Sequence, residues 1–343
     1  MIKSLTSLRG IFILFIFFHH CMNLYIGGGT MAVAFFFILG GFSMTLGYKD
    51  RVLLPEFSYK QYLIRRCIKF YPLHWLCLMT VLPLTLYNGI TFITNAALVQ
   101  SWIPIKSFYF SYNMVSWYLA DTMFFALLFP FLFNGIVRMT TKGRIRFTVA
   151  MLVAYALIVI LLPTDMYHAI LYISPYVRTS DFVFGMLLAF VYLDLKEKTW
   201  TKNLFSHNGK IWMLTIILLI VLLVYESSLL TKSIRMIAPV FWPLVAMLIV
   251  LVSLLEENGG GILLQHHCLQ RFGELSFTFF LTHQIVLRYL TIEFDHFHFD
   301  NTIMYIILSL VITIMVSLIV ERYILKNVTQ WLTKRIQPYM TVQ

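Results

Sequence analysis

The stretch Leu8-Arg9-Gly10-Ile11-Phe12-Ile13-Leu14-Phe15-Ile16-Phe17-Phe18-His19-His20 is apolar between a guanidinium at one end and two imidazoles at the other. His20 follows Arg9 by eleven positions. That is about three helical turns, so both side chains fall near one face, about 16 Å apart along the axis. Adjacent His19 points about 100° away from His20. A cation or an imidazole in a segment otherwise fit for lipid is costly, and it marks a polar cavity with work to do. The run is therefore read as a membrane helix. A secretory signal peptide is the competing reading, since Lys3 and Arg9 precede the apolar run and Ala32-Val33-Ala34 imitates a cleavage site. The paired histidines and Asn23 that end the run, and a second apolar segment after a Gly-rich turn, favour a retained span.

Working outward, the whole chain has the same character. Of its 343 residues, 60% are hydrophobic and 12% charged, and the mean hydropathy is +0.81. These values define a polytopic membrane protein. The 31 Phe and 19 Tyr suit lipid-facing surface and interfacial belts. A net charge of +11 would suggest nucleic-acid binding in a soluble chain. Here most Lys and Arg lie in short loops, where they set topology and meet lipid headgroups, and no nucleic-acid partner is expected. Cys21, Cys67, Cys77 and Cys268 show no metal-ligand spacing and read as small apolar filler.

The fold class is all-α, with about ten spans at 8–26, 31–48, 63–86, 115–137, 146–163, 179–194, 210–226, 235–255, 273–292 and 302–325. The second and sixth are short. The segment 91–105 reads as a partial or interfacial helix. Residues 1–335 form a single membrane domain and 336–343 a short tail. Lys49, Arg51, Lys60, Arg65 and Arg66 follow span two, Arg138 to Arg146 follow span four, and Lys196 to Lys210 follow span six. The alternate connections are poor in such residues, which puts both termini in the cytoplasm. Two connections run against this order: Lys232 lies outside, and Glu256 with Glu257 lies inside.

Under this topology Arg9, Arg65, Arg66 and Lys69 lie at the cytoplasmic face. Arg66 and Lys69 are three apart on one helix face. With Arg9 they would suit an anion site for phosphate groups, against the alternative of snorkelling to lipid phosphates. His283, in span nine, lies at about the depth of His20. Two histidines at one depth can line one cavity, and a near-neutral imidazole is the natural general base for a hydroxyl. Asp121 sits about two turns into span four. Arg178 and Asp181, at i and i+3, form either an ion pair or part of an acceptor site. His296 and His298, with Glu293, Asp295 and Asp300, lack metal-site spacing, so no metal is expected. No phosphate loop, HExxH, GxSxG or dinucleotide fingerprint appears.

Four segments together resemble a known family. Ser7-Leu8-Arg9-Gly10 followed by His20 fits its arginine–ten residues–histidine pattern. Phe35 to Phe42 (FFFILGGF) is similar to its FFxLSGF segment. Arg65 to Leu73 (RRCIKFYPL) is similar to RRxxRIYPL, and Ser276 to His283 (SFTFFLTH) to SYxIYLxH. Arg178-x-x-Asp181-Phe182-x-x-Gly185 is similar to its RxxEFxxG stretch. In this order they resemble the integral-membrane acyltransferase-3 family over nearly the whole chain. Lys69, Gly40 and Asp181 depart from its usual arginine, serine and glutamate. No esterase-like domain follows, as in the stand-alone type.

The resemblance implies a multi-pass protein of the cytoplasmic (inner) membrane that O-acylates cell-surface carbohydrates. It implies acyl-CoA, most often acetyl-CoA, as donor substrate with no permanently bound cofactor, and a carbohydrate or lipid-linked saccharide as acceptor. On that basis His20 is the catalytic residue. Arg9, Arg66 and Lys69 hold the CoA phosphates. His283, Arg178, Asp181 and Asp121 serve the acceptor. The competing class is a transporter or flippase of a lipid-linked saccharide, which ten spans and intramembrane charges would also suit. The acceptor and its acylated hydroxyl, the acyl length, direct transfer against a covalent acyl-histidine step, and the oligomeric state are not legible.

Overall fold

The computed structural model describes residues 2–22, 28–206, 209–261, 263–298 and 301–340. Among these the regular structure is helical. The long helices are α1 (Lys3–Met22), α2 (Gly28–Tyr48), α3 (Tyr59–Val81), α4 (Trp117–Val137), α5 (Thr141–Leu161), α6 (Pro175–Lys196), α7 (Gly209–Leu229), α8 (Trp242–Glu257), α9 (His267–His296) and α10 (Thr302–Ile319). A π-helical turn, Val320–Leu325, carries α10 on into α11 (Lys326–Met340).

Nine stretches among the described residues are long and apolar enough to cross a membrane. The remaining expected span, 273–292, lies within α9. At 30 residues α9 is about 45 Å long, more than a hydrocarbon core requires. Arg271, Glu274, His283, Arg288 and Glu293 keep it from reading as apolar. Spans two and six are not short: α2 has 21 residues and α6 has 22. The first turns of α6 are polar yet buried, with Arg178 and Asp181 inside, so hydropathy alone hides where this helix starts.

The chain divides into two compact units, each assembled from separate pieces of sequence. The first comprises Met1–His19, Asn23–Phe57 and Leu128–Glu274. Its centre is the crossing of α2 and α6. A methyl group at Gly41 would run into the Phe182 carbonyl, and one at Gly185 into the Ile38 carbonyl. Only glycine lets the two backbones approach this closely, as is common where membrane helices pack. Both glycines fall in the motif segments noted above. Phe12 of α1 stacks on Phe35 of α2, with centroids 3.7 Å apart. Glu256, an acid on the side assigned to the cytoplasm, accepts from the Lys3 and Ser4 backbone N–H groups at 2.8 and 2.6 Å. It thereby caps the positive end of α1. Glu257 accepts from the Tyr192 hydroxyl at 3.0 Å. Helix α5 is largely uncovered, with Ile160 76% and Leu161 80% exposed, as suits a lipid-facing helix.

The second unit comprises His20–Met22, Ser58–Leu127 and Leu275–Gln343. Ser58 caps α3 by accepting from the Gln61 N–H. The Tyr62 hydroxyl ties α3 to α4 by donating to the Ala126 carbonyl at 2.9 Å. The segment 91–105 holds a short helix, Gly89–Ala96, whose first turn is capped by the Asn88 side chain. His74 Nε2 donates to the Asn95 carbonyl at 2.8 Å, and Trp75 Nε1 to the Ala96 carbonyl at 3.0 Å, which fasten this helix to α3. Helices α9 and α10 meet through Thr282 and Ser317, whose hydroxyls are 2.9 Å apart.

Candidate active site

His20 stands near the C-terminal end of α1 and His283 midway along α9. Both belong to the second unit. His20 Nδ1 lies 2.9 Å from His283 Nε2, and the rings are nearly parallel, 15° apart. His283 Nδ1 lies 2.6 Å from the Phe280 carbonyl oxygen. A carbonyl only accepts, so His283 Nδ1 must carry the proton of that bond. Neutral His283 then offers Nε2 as an acceptor, and His20 must donate from Nδ1. The proton assignment follows from the bond network, and it leaves Nε2 of a neutral His20 as the basic nitrogen. His283 is fully buried, while His20 is exposed. One imidazole is thus packed as a support and the other is accessible.

The support continues into the surrounding elements. Buried Asn113 donates from Nδ2 to the Leu281 carbonyl at 2.9 Å. Arg288, just over one turn beyond His283, donates from Nη1 to the Tyr112 carbonyl at 2.8 Å. Tyr112 is held at φ +55°, a conformation that costs a non-glycine residue on the order of 1–3 kcal/mol. Thr282 hydrogen-bonds Ser317 on the next helix. These bonds fix the α9 backbone on both sides of His283. Sequence reading missed Asn113, Arg288 and Ser317, because each acts through a contact distant in the chain.

The other residues singled out in the sequence are distributed between the units. Arg66, Lys69 and Asp121 belong to the second unit. Arg66 is buried, and its guanidinium lies 5.2 Å from the Tyr62 ring centroid. Lys69 is exposed, with its ammonium 5.5 Å from the Phe70 centroid. Asp121 is fully buried in α4. Arg9 is half-buried on α1 in the first unit. In the turn before it, the Ser7 hydroxyl donates to the Leu264 carbonyl.

Arg178 and Asp181, also in the first unit, form a closed ion pair. Arg178 Nη1 is 3.0 Å from Asp181 Oδ2, with both side chains almost fully buried. Trp242 Nε1 donates to Asp181 Oδ1 at 2.6 Å. The Arg178 guanidinium lies 4.9 Å from the Phe37 ring centroid. Trp242 stacks on Phe184 with centroids 4.4 Å apart. The sequence offered no signal for Trp242 beyond its place at the start of an apolar helix. Among the described residues, no group of three or more His, Cys, Asp or Glu is placed to hold a metal ion. Asp300 lies outside the described residues.

Comparison with known proteins gives two matches. A family model described as an acyltransferase domain matches residues 2–322. Acyltransferase MdmB of Streptomyces mycarofaciens is 26% identical over 285 residues, which is 76% of this chain and 69% of that protein. No solved structure matches.

Proposed function

The chain belongs to the acyltransferase-3 family, and on that premise we propose that it moves an acyl group from acyl-CoA to a hydroxyl of an envelope carbohydrate. Acetyl is the favoured group. O-antigen, capsular polysaccharide and exopolysaccharide units are the favoured acceptors, reached from the cytoplasmic membrane. The observation that carries the mechanism is the chain of bonds from His20 through His283 to the Phe280 carbonyl.

In this reading His20 Nε2 takes the proton of the acceptor hydroxyl as its oxygen attacks the thioester carbonyl. The new C–O bond forms, the C–S bond breaks, and the CoA thiolate leaves. The proton passes from His20 to the thiolate as thiol. A positioned general base contributes about 10²–10⁴-fold. His283 keeps the His20 ring oriented with Nε2 unprotonated and supports the imidazolium that forms in between. The logic is that of a base held by a third group. Arg9 and Arg66, with Lys69, are the proposed contacts for the CoA phosphates, guanidinium being the better match to phosphate oxygens. Arg178, Asp181 and Asp121 are proposed to shape the acceptor side. A transporter would have no need of an accessible imidazole held in one tautomer.

The test is release of free CoA thiol by purified protein in detergent, with acyl-CoA of increasing chain length and a de-O-acetylated envelope oligosaccharide. Acceptor-dependent thiol release, fastest with acetyl-CoA, is the predicted result. No acceptor-dependent release with any acyl-CoA would refute the proposal.

A further inference from the structure

The first unit holds a cavity of about 590 Å³ between the start of α7, with Phe205 beside it, and the turn 258–261 that follows α8, with Leu263 beyond it. Both walls lie on the side that the loop charges assign to the cytoplasm. Glycine keeps each wall open: a methyl group at Gly209 or at Gly259 would meet nothing within 4 Å. Phe205 is buried and fixed in place. Its ring stacks on Trp212 with centroids 4.6 Å apart, and the Trp212 indole N–H donates to the Leu204 carbonyl at 3.2 Å.

The side chains that line the cavity are mostly apolar, with Met213, Leu214, Ile217 and Leu263 among them. Water finds few partners on such a wall, and an apolar void forfeits dispersion contacts, so the space suits hydrocarbon. The wall also continues into a surface that lipid covers. Leu214 and Ile217 are exposed, and the exposed face runs on along α7 through Leu218 and Val221. The buried residues of α7 are Ile216, Leu219, Leu223 and Ser227. Lys210, in the first turn of α7, is the one charged residue of the described lining, and it is exposed. The acids next to the turn are engaged elsewhere. Glu256 accepts from the α1 backbone, and Glu257 accepts from Tyr192 and lies 3.9 Å from Lys196.

We propose that this cavity is a binding groove for an anionic membrane phospholipid, with one acyl chain against Met213, Leu214, Ile217 and Leu263 and the phosphate on the Lys210 ammonium. The volume falls within the roughly 300–1,000 Å³ of small-molecule sites, which pair apolar walls with a few placed polar groups. Charge complementarity selects the headgroup. Lys198 and Lys202 are exposed in the same connection as Lys210, and basic clusters at the cytoplasmic boundary attract anionic lipid. The short helix Thr199–Ser206 exposes Trp200 and Lys202 and buries Thr201 and Phe205. That division suits a helix lying in the interface, beside a headgroup. None of the residues proposed for catalysis, for CoA or for the acceptor lines the groove, so the site goes beyond the proposed transfer chemistry, and its occupation requires no acyl donor.

The test is native mass spectrometry of the full chain in dodecyl maltoside, with dioleoyl phosphatidylglycerol or dioleoyl phosphatidylcholine as the probe. Wild-type protein should retain a single phosphatidylglycerol, preferred over phosphatidylcholine about fivefold, the effect of one lysine on an anionic headgroup. Lys210→Gln should abolish that preference. Met213→Trp, which fills the groove, should lose both lipids. Lys142→Gln and Leu161→Trp change exposed residues outside the cavity and should match wild type. Lys210 is exposed, so Lys210→Gln alone decides the matter if Met213→Trp fails to fold. Equal retention of the two lipids by wild type, an unchanged preference in Lys210→Gln, or wild-type retention by Met213→Trp would overturn the proposal. Preferential retention of oleoyl-CoA over phosphatidylglycerol at equal concentration would also overturn it, by making the groove a donor site. Acyl transfer is not read in any arm, so this result and the fate of the transfer mechanism are separable.

Discussion

Replacing His283 by alanine removes the acceptor of the His20 Nδ1 proton and frees that ring to turn or to change tautomer. The expected result is a fall in kcat with KM for acyl-CoA nearly unchanged, because His283 acts through His20. A rise in KM with kcat preserved would instead make His283 a substrate contact. Asn113→Ala, which frees the Leu281 carbonyl, should cause a smaller loss of the same kind. At this scale the sequence was legible where chemistry is rare. A histidine or a carboxylate in an apolar run draws attention because lipid penalises it, and that signal pointed to His20, His283, Arg178 and Asp181. Asn113 and Ser317 carry no such signal. Their importance lies in partners 168 and 35 residues away.

Helices α2 and α6 meet through Gly41 and Gly185, and beside them the Arg178–Asp181 pair is sealed by Trp242. Gly185→Leu should prevent the helices from docking and abolish accumulation of folded protein, measured as monodisperse material extracted from membranes. Gly40→Ala, by contrast, meets only the Phe182 ring at 3.8 Å and should be accepted. Asp181→Ala leaves a buried guanidinium without its counter-charge and should cost about 3–5 kcal/mol. The double change Arg178→Met with Asp181→Leu removes both charges and should cost less than that, read as unfolding midpoints in detergent. If the double variant is as unstable as the single, the pair does more than neutralise itself. The helices themselves were readable from apolar length, the expected span 273–292 within α9 included, but the start of α6 was not. Its first turns carry polar residues that the fold buries, and hydropathy averages count those residues as if they faced lipid.

For the whole molecule, loop charge predicts the orientation, and the two residues that run against it each have a local setting. Glu256 caps α1, and Lys232 lines a cavity. In a cysteine-free background, Lys106→Cys should react in intact cells with a membrane-impermeant maleimide, while Lys142→Cys should react only after the membrane is opened. The reverse pattern would invert the molecule and put Arg9, Arg66 and Lys69 at the outer face, away from a cytoplasmic acyl donor. Composition was enough to read a polytopic helical protein. It could not reveal the two units, because their pieces interleave in sequence, and α1 and α9 each contribute residues to both.

The central claim is that His20 is the base for acyl transfer. Its most direct test is transfer of label from radiolabelled acetyl-CoA to envelope carbohydrate, in membranes carrying wild-type protein or His20→Ala at equal abundance. Label with wild type and a loss of at least about 10²-fold with the variant is the predicted result. Undiminished transfer by His20→Ala would contradict the account.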